Sequence, residues 1–299
     1  EVKRKFFGTL YNAYSFYALY ANIDDFKYDE KICPVEKRDK TDKWIISEMH
    51  SLIKEVEGYY EDYEPTKASR AIQNFVINKL SNWYIRLNRR RFWKGEYNAD
   101  KKNAYSTLYE CIINISLISC PIAPFYMDRL FQDLNKSSSS IHLSSFPLFN
   151  EEFIDRDLES QMQLAQNLSS SILSLRKKEK IRVRQPLQSA LVASSSNLVK
   201  KGIVAAKEII LAETNLKDLK FIENDSEMLS KRAKPNFKLL GPKYGNKIKE
   251  VSQVINSLDS KQINELEKNG TLVLTNGETI SKEDVEISSE EIEGYSVST

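Results

Sequence analysis

Apolar residues recur at helical spacing through the first half of the chain. Phe6, Phe7, Leu10, Tyr11, Tyr14, Tyr17 and Ala18 stand three or four apart, so residues 2–20 predict a helix whose broad aromatic stripe belongs in a core. Trp44, Ile45, Met49, Leu52, Ile53 and Val56 predict a second helix, capped by Thr41 or Asp42 and ended by Gly58. A third opens at Pro65-Thr66, carries Ile72, Phe75, Val76, Leu80, Trp83 and Leu87 on one stripe, and closes at Lys94-Gly95. From Asp100 onward, Tyr105, Leu108, Tyr109, Ile112, Ile113, Ile115 and Leu117 are apolar almost all round, as suits a helix at the centre of a bundle. Pro121 and Pro124 punctuate it, and residues 125–134 make a fifth helix, while the charged stretch 24–41, broken by Cys33-Pro34, reads as a loop.

After the serines at 137–140 the pattern changes. Residues 155–180 predict a long helix with Leu158, Met162, Ala165, Leu168, Ile172 and Leu175 on one face. It ends in Arg176-Lys177-Lys178-Glu179-Lys180, after which Ile181-Arg182-Val183-Arg184 alternates as a strand would, with both arginines on one side, until Gln185-Pro186 stops it. Short strands are expected at 190–193, 219–222 and 272–274, and helices at 198–210, 244–258 and 261–266. The predicted fold class is mainly α. An antiparallel helical bundle fills 1–150, a long helix and basic linker 151–186, and a small α/β C-terminal extension 187–299.

Composition narrows the chemistry. The 299 residues suffice for two or three domains, and their net charge of only +2 means that any affinity for nucleic acid must come from local patches. Three cysteines, Cys33, Cys111 and Cys120, and two histidines, His50 and His142, lie too far apart for a disulfide framework or a zinc motif. No glycine-rich phosphate loop and no nucleophile with its base is legible, so these residues are not expected to catalyse a reaction unaided. There is no membrane-length apolar run and no signal-peptide pattern, which makes a cytoplasmic location without membrane attachment the expectation. The chain opens at Glu1 inside what reads as a helix, suggesting that it belongs to a longer polypeptide.

The most informative stretch is 82–93, which joins four arginines to four aromatic rings. At a hundred degrees per residue, Arg86 and Arg90 fall on or beside the apolar stripe, whereas Arg89 and Arg91 splay to its flanks. The five basic residues from Arg86 to Lys94 suit phosphate contacts, Tyr84, Phe92 and Trp93 offer rings to unpaired bases, and Trp83, mid-stripe, reads first as a core anchor. The expected RNA contact is Arg86, Asn88, Arg89, Arg90, Arg91 and Trp93, with Trp83 and Tyr84 in support. Arg182 and Arg184 of the second basic cluster either contact an RNA stem or solvate a helix end. A purely structural bundle and a freestanding RNA-binding or assembly module stand as alternatives.

Asp42-Lys43-Trp44-Ile45-Ile46-Ser47, Ser81-Asn82-Trp83-Tyr84-Ile85-Arg86 and Cys120-Pro121-Ile122-Ala123-Pro124-Phe125 resemble the helical anticodon-binding domain of class Ia aminoacyl-tRNA synthetases. Within that family, Arg4-Lys5-Phe6-Phe7, Leu19-Tyr20-Ala21-Asn22-Ile23-Asp24, Arg89-Arg90-Arg91-Phe92-Trp93 and Val183-Arg184-Gln185-Pro186-Leu187 look like isoleucyl-tRNA synthetases. Lys234-Pro235-Asn236-Phe237-Lys238 with Leu240-Gly241 is similar to the extension of their eukaryotic-like branch. The resemblance implies a ligase that uses ATP and Mg²⁺, in a catalytic domain outside this chain, to join isoleucine to tRNA(Ile), with an editing domain also outside it. The partners implied are the anticodon stem-loop of tRNA(Ile) and the rest of the same polypeptide; no cofactor is expected here, and zinc only outside these residues. A valyl or methionyl specificity is the alternative within the family. Residues 227–232 have a passing likeness to the mobile lysine loop of class I synthetases, but the nucleotide-binding pattern that should precede it is missing.

Overall fold

The computed structural model describes residues 2–29, 33–135, 139–194, 196–222, 231–274 and 276–289. The chain divides into two compact units, residues 1–163 and 164–299.

The first unit is built from helical rods. A π-helical turn, Lys3–Phe7, leads into α1 (Gly8–Ile23), and α2 spans Lys40–Glu61. α3 (Pro65–Asn74), a π-helical stretch Phe75–Ile85 and α4 (Arg86–Trp93) follow one another without a break, and α5 (Ala99–Ser119) and α6 (Pro124–Asn135) come next. α7 (Arg156–Lys178) begins in this unit and ends in the other. Leu10, Trp44, Ile45, Met49, Ile53, Tyr84, Phe92 and Tyr105 are fully buried, so α1, α2, the α3–α4 rod and α5 contribute to one core, but the aromatic stripe expected of α1 is only partly inside it, with Tyr11 57% exposed. α5 buries residues around most of its circumference, as its sequence predicts.

Two helix ends differ from expectation. The N-cap of α2 is Asp39, whose carboxylate accepts from the Thr41 N–H at 3.0 Å; Asp42 lies inside the helix and is fully buried. At the other end α2 runs through Gly58 to Glu61, and the left-handed residue that stops it is Tyr63 (φ 57°), after which the Glu64 N–H returns to the Tyr59 carbonyl at 2.8 Å. Gly58 is simply a helical residue here, tolerated at modest cost.

In the second unit, β1 (Leu187–Ala193) pairs in parallel with β2 (Leu216–Ile222), and α8 (Asn197–Ala205) and α9 (Lys207–Thr214) connect them. The single helix expected over 198–210 is thus two, interrupted at Ala206 (φ −109°, ψ 9°). β3 (Lys231–Pro235), α10 (Phe237–Tyr244), α11 (Ile248–Asn256), α12 (Ser260–Asn269), β4 (Thr271–Val273), β5 (Thr279–Ser281) and β6 (Val285–Ser289) complete the described chain. β3 pairs with β6 and β4 with β5, both antiparallel, over a core that includes Leu240, Val251, Ile255, Ile263, Leu266 and Ile280. α10, β3, β5 and β6 are additions to the sequence reading. Tyr244 closes a helix instead of opening one, and α11 starts at Ile248. Ser137 and Ser138 and residues 227–230 of the lysine-loop likeness lie outside the described residues.

The strand expected at 181–184 does not form. Lys180 takes a left-handed conformation (φ 56°), and the Ile181 N–H returns to the Arg176 carbonyl at 2.8 Å, which ends α7 in a tight turn. Arg176 turns inward and is 2% exposed. Its guanidinium donates to the carbonyls of Arg182 (3.2 Å), Gln185 (3.0 Å) and Asn215 (3.0 Å), holding 182–185 in that turn.

Candidate nucleic-acid interface

The interface is assembled at the C-terminal end of the α3–α4 rod, and the winding of that rod decides which arginine points where. Val76, Leu80, Tyr84, Asn88 and Phe92 are all buried, at a constant spacing of four. In a regular α-helix such a row drifts by about 40° per step and leaves the core within a few turns. The π-helical stretch turns less per residue, so the drift reverses over Phe75–Ile85 and the row stays inside. The consequence corrects the helical projection: Arg91 comes round to the interior and Arg90 faces solvent.

Arg91 is the anchor of this end. Its guanidinium reaches both carboxylate oxygens of Asp42 (2.9 and 2.8 Å) and both of Asp100 (3.0 and 2.7 Å), and also donates to Asn88 Oδ1 at 2.9 Å. Burial opposes its charge, but the hydrogen bonds and field of Asp42 prevail and hold its pKa above the ordinary arginine range. Tyr84, fully buried, donates to Asp42 Oδ1 at 2.6 Å, and burial first, then Asp42, pushes its phenol well above the usual tyrosine range. Asn88 donates to the Tyr84 carbonyl (3.0 Å) and accepts from Thr41 Oγ1 (3.0 Å). Every polar atom around Asp42 thereby has a partner, the condition under which a buried ion pair holds together. Phe92 closes the interior side, edge-on to Phe16 and Tyr105 with centroids 5.0 and 5.4 Å away.

Outward from this anchor lie Arg86, Arg89, Arg90 and Lys94, all exposed, with the Trp93 indole 51% exposed among them. No ion pair among the described residues engages Arg89, Arg90 or Lys94. Arg86 sits with its guanidinium carbon 5.7 Å from the Trp83 ring, and Trp83 itself is 4% exposed, a wall behind the ledge and not a platform on it. Beyond the rod, the Lys102 ammonium lies 4.8 Å from the ring of Tyr97, which is 41% exposed, adding a second cation and aromatic pair to the same end.

The residues expected at an RNA contact therefore separate into two sets. Arg86, Arg89, Arg90 and Trp93 face solvent together; Trp83, Tyr84, Asn88 and Arg91 form the interior that supports them. Arg182 and Arg184 are exposed in the turn after α7. Sequence reasoning missed Asp42 and Asp100 as partners of Arg91, because no periodicity links positions in different helices.

Other chemistry is limited. Among the described residues no three His, Cys, Asp or Glu side chains gather as a metal site. Cys120 Sγ lies 3.2 Å from His142 Nδ1, but burial and the nearby Asp128 push its thiol pKa up, so it stays protonated and is a weak nucleophile at neutral pH.

A helical unit that ends in an anchored arginine and an exposed cationic, aromatic ledge has the character of an RNA-binding module. Residues 42–191, half of the chain, match the family of the anticodon-binding domain of tRNA ligase, and the chain belongs to that family. Among its relatives it is 50% identical to the isoleucine–tRNA ligase of Cytophaga hutchinsonii, over all of this chain and 28% of the relative. It is 48% identical to that of Bacteroides thetaiotaomicron over 99% of this chain and 26% of the relative, and 36% identical to that of Thermus thermophilus over 85% and 25%. The chain thus spans about a quarter of the length of these curated relatives, and corresponds to a C-terminal part of them. All three are bacterial, and the narrower expectation of a eukaryotic-like branch finds no support in them.

Proposed function

We propose that the chain is the tRNA-binding C-terminal part of an isoleucine–tRNA ligase, gripping the anticodon region of tRNA(Ile) so that a catalytic domain elsewhere in the same polypeptide can esterify the acceptor end. The observation that carries the reading is the exposed ledge of Arg86, Arg89, Arg90 and Trp93 inside the stretch that matches an anticodon-binding family. An anticodon loop splays its bases; the arginines hold its phosphates and the indole face stacks a base. Arg91, Asn88 and Tyr84 act through position, by keeping the rod end rigid. Arg182 and Arg184 supply further phosphate contacts towards the stem. Binding energy gained at the ledge orients the distant acceptor end, so its loss lowers transfer as well as affinity.

ATP, Mg²⁺ and isoleucine belong to the catalytic domain, as does the hydrolysis of mischarged valine to an editing domain. No side chain discussed above is assigned to any of them. The bundle 1–150, the linker helix 151–186 and the extension 187–299 are read as the functional divisions, and the setting is the cytoplasm. Among the described residues no helix is long and apolar enough to cross a membrane. Similarity to isoleucine–tRNA ligases over essentially the whole chain disfavours both a freestanding module and a valyl or methionyl specificity.

The test is R89A/R90A in this chain, titrated with tRNA(Ile) and with its isolated anticodon hairpin over a salt series. Each lost phosphate contact lowers the log–log salt slope by about one, so a fall of about two is expected, together with weaker binding of both RNAs. Affinity and slope that stay at the wild-type values for both would sink the assignment.

A further inference from the structure

The second unit carries a groove that the anticodon reading leaves unused. α8 presents Asn197, Lys200, Lys201, Val204 and Ala205 on one face, at the spacing of a single helical stripe, and this face and Phe221 of β2 line an open groove of about 460 Å³. Lys200 is half-buried and Lys201 exposed, and no carboxylate among the described residues pairs with either. Their neighbour Lys207, by contrast, is held by Asp218 at 2.6 Å. Among the described residues no acid lines the groove.

The lining combines the ammonium groups of Lys200 and Lys201 and the Asn197 amide with the apolar surfaces of Val204, Ala205 and the half-buried Phe221 ring. A half-buried lysine without a counter-ion has given up hydration that a bound anion would offset. A group that meets both kinds of lining couples an anion to a flat apolar ring, and a nucleotide unit of RNA does this: phosphate on the lysines, base against Phe221. An acidic peptide would satisfy the lysines, but RNA is favoured because the chain belongs to an anticodon-binding family.

We propose that this groove is a second RNA contact, which holds a backbone phosphate and an adjoining base of the tRNA outside the anticodon hairpin. The inference rests on the reading that the chain binds tRNA, and the experiment separates the two. K200E/K201E is titrated with tRNA(Ile) and with the isolated anticodon hairpin, beside R89A/R90A and beside K220E, an exposed lysine on the opposite face of β2. Expected for K200E/K201E is a several-fold loss of affinity for whole tRNA, a log–log salt slope lower by about one, and unchanged hairpin binding. Unchanged binding of whole tRNA overturns the groove while R89A/R90A still reports on the ledge. An equal loss with the hairpin, or an equal effect of K220E, overturns it as well, since the lysines would then act within the anticodon contact or through overall charge alone. Lys201 is exposed and Lys200 half-buried, and circular dichroism with a thermal melt checks that the double variant keeps the fold.

Discussion

The chain carries two basic runs of similar composition, five cations between residues 86 and 94 and six between 176 and 184. Each turns one arginine inward, but to different partners. Arg91 goes to two carboxylates on other helices, while Arg176 goes to three backbone carbonyls of its own turn and of Asn215. The first arrangement fixes the end of a long rod against its core and leaves Arg86, Arg89 and Arg90 as an outward ledge; the second fixes a loop. A run of like charge is therefore not a surface until its internal members have been subtracted. What distinguishes the two runs is the buried acid that the inward arginine finds.

The sharpest way to break this comparison is to remove that acid. Asp42→Ala leaves the buried Tyr84 hydroxyl without its acceptor and Arg91 with Asp100 and Asn88 alone, and should cost about 3–5 kcal/mol, read from chemical or thermal unfolding. A cost under about 1 kcal/mol would show that the anchor is dispensable. Arg176→Met, which deprives carbonyls and not charges, should cost less, about 2 kcal/mol. If it equals or exceeds the Asp42 variant, the contrast between the two anchors is wrong. Removing the Asp39 cap from α2 with Asp39→Ala should cost about 1 kcal/mol, a purely local effect that serves as the scale for the other two. R182A/R184A, at exposed positions, should change stability by less than about 0.5 kcal/mol, yet lower the salt slope of tRNA binding by one to two if the turn touches phosphates. An unaltered slope would leave those arginines as solvation alone.

The smallest effect is one of pH. His50 is half-buried and its Nδ1 accepts the Asn150 N–H at 3.1 Å, which requires an unprotonated nitrogen. Burial lowers its pKa below the ordinary 6.5, so the folded state takes up the proton less readily than the unfolded one. Its contribution is present above pH 6.5 and fades as the pH falls below that value. His50→Gln should flatten the dependence of melting temperature on pH in that window, and an identical dependence in both proteins would show that the ring does not titrate with folding.

Much of the bundle was legible because its signals are local. Pro65 opening a helix, Gly95 (φ 88°) closing one and the all-round apolar α5 are consequences of residue type and spacing. The small second unit was less legible, for an equally physical reason. β4 and β5 have three residues each and β3 and β6 have five, too few for a period of two to stand out. Arg182-Val183-Arg184 alternates as a strand would, but the inward pull of Arg176 makes a turn of it.

Of the candidate interface, the sequence alone determined the concentration of arginine and aromatic side chains at a helix end, and with it the chemistry of phosphate and base. Tertiary structure alone decided that Arg90 faces water and Arg91 faces Asp42. That choice depends on π-helical winding and on carboxylates 49 and 9 residues away in sequence, and packing, not spacing, selects both.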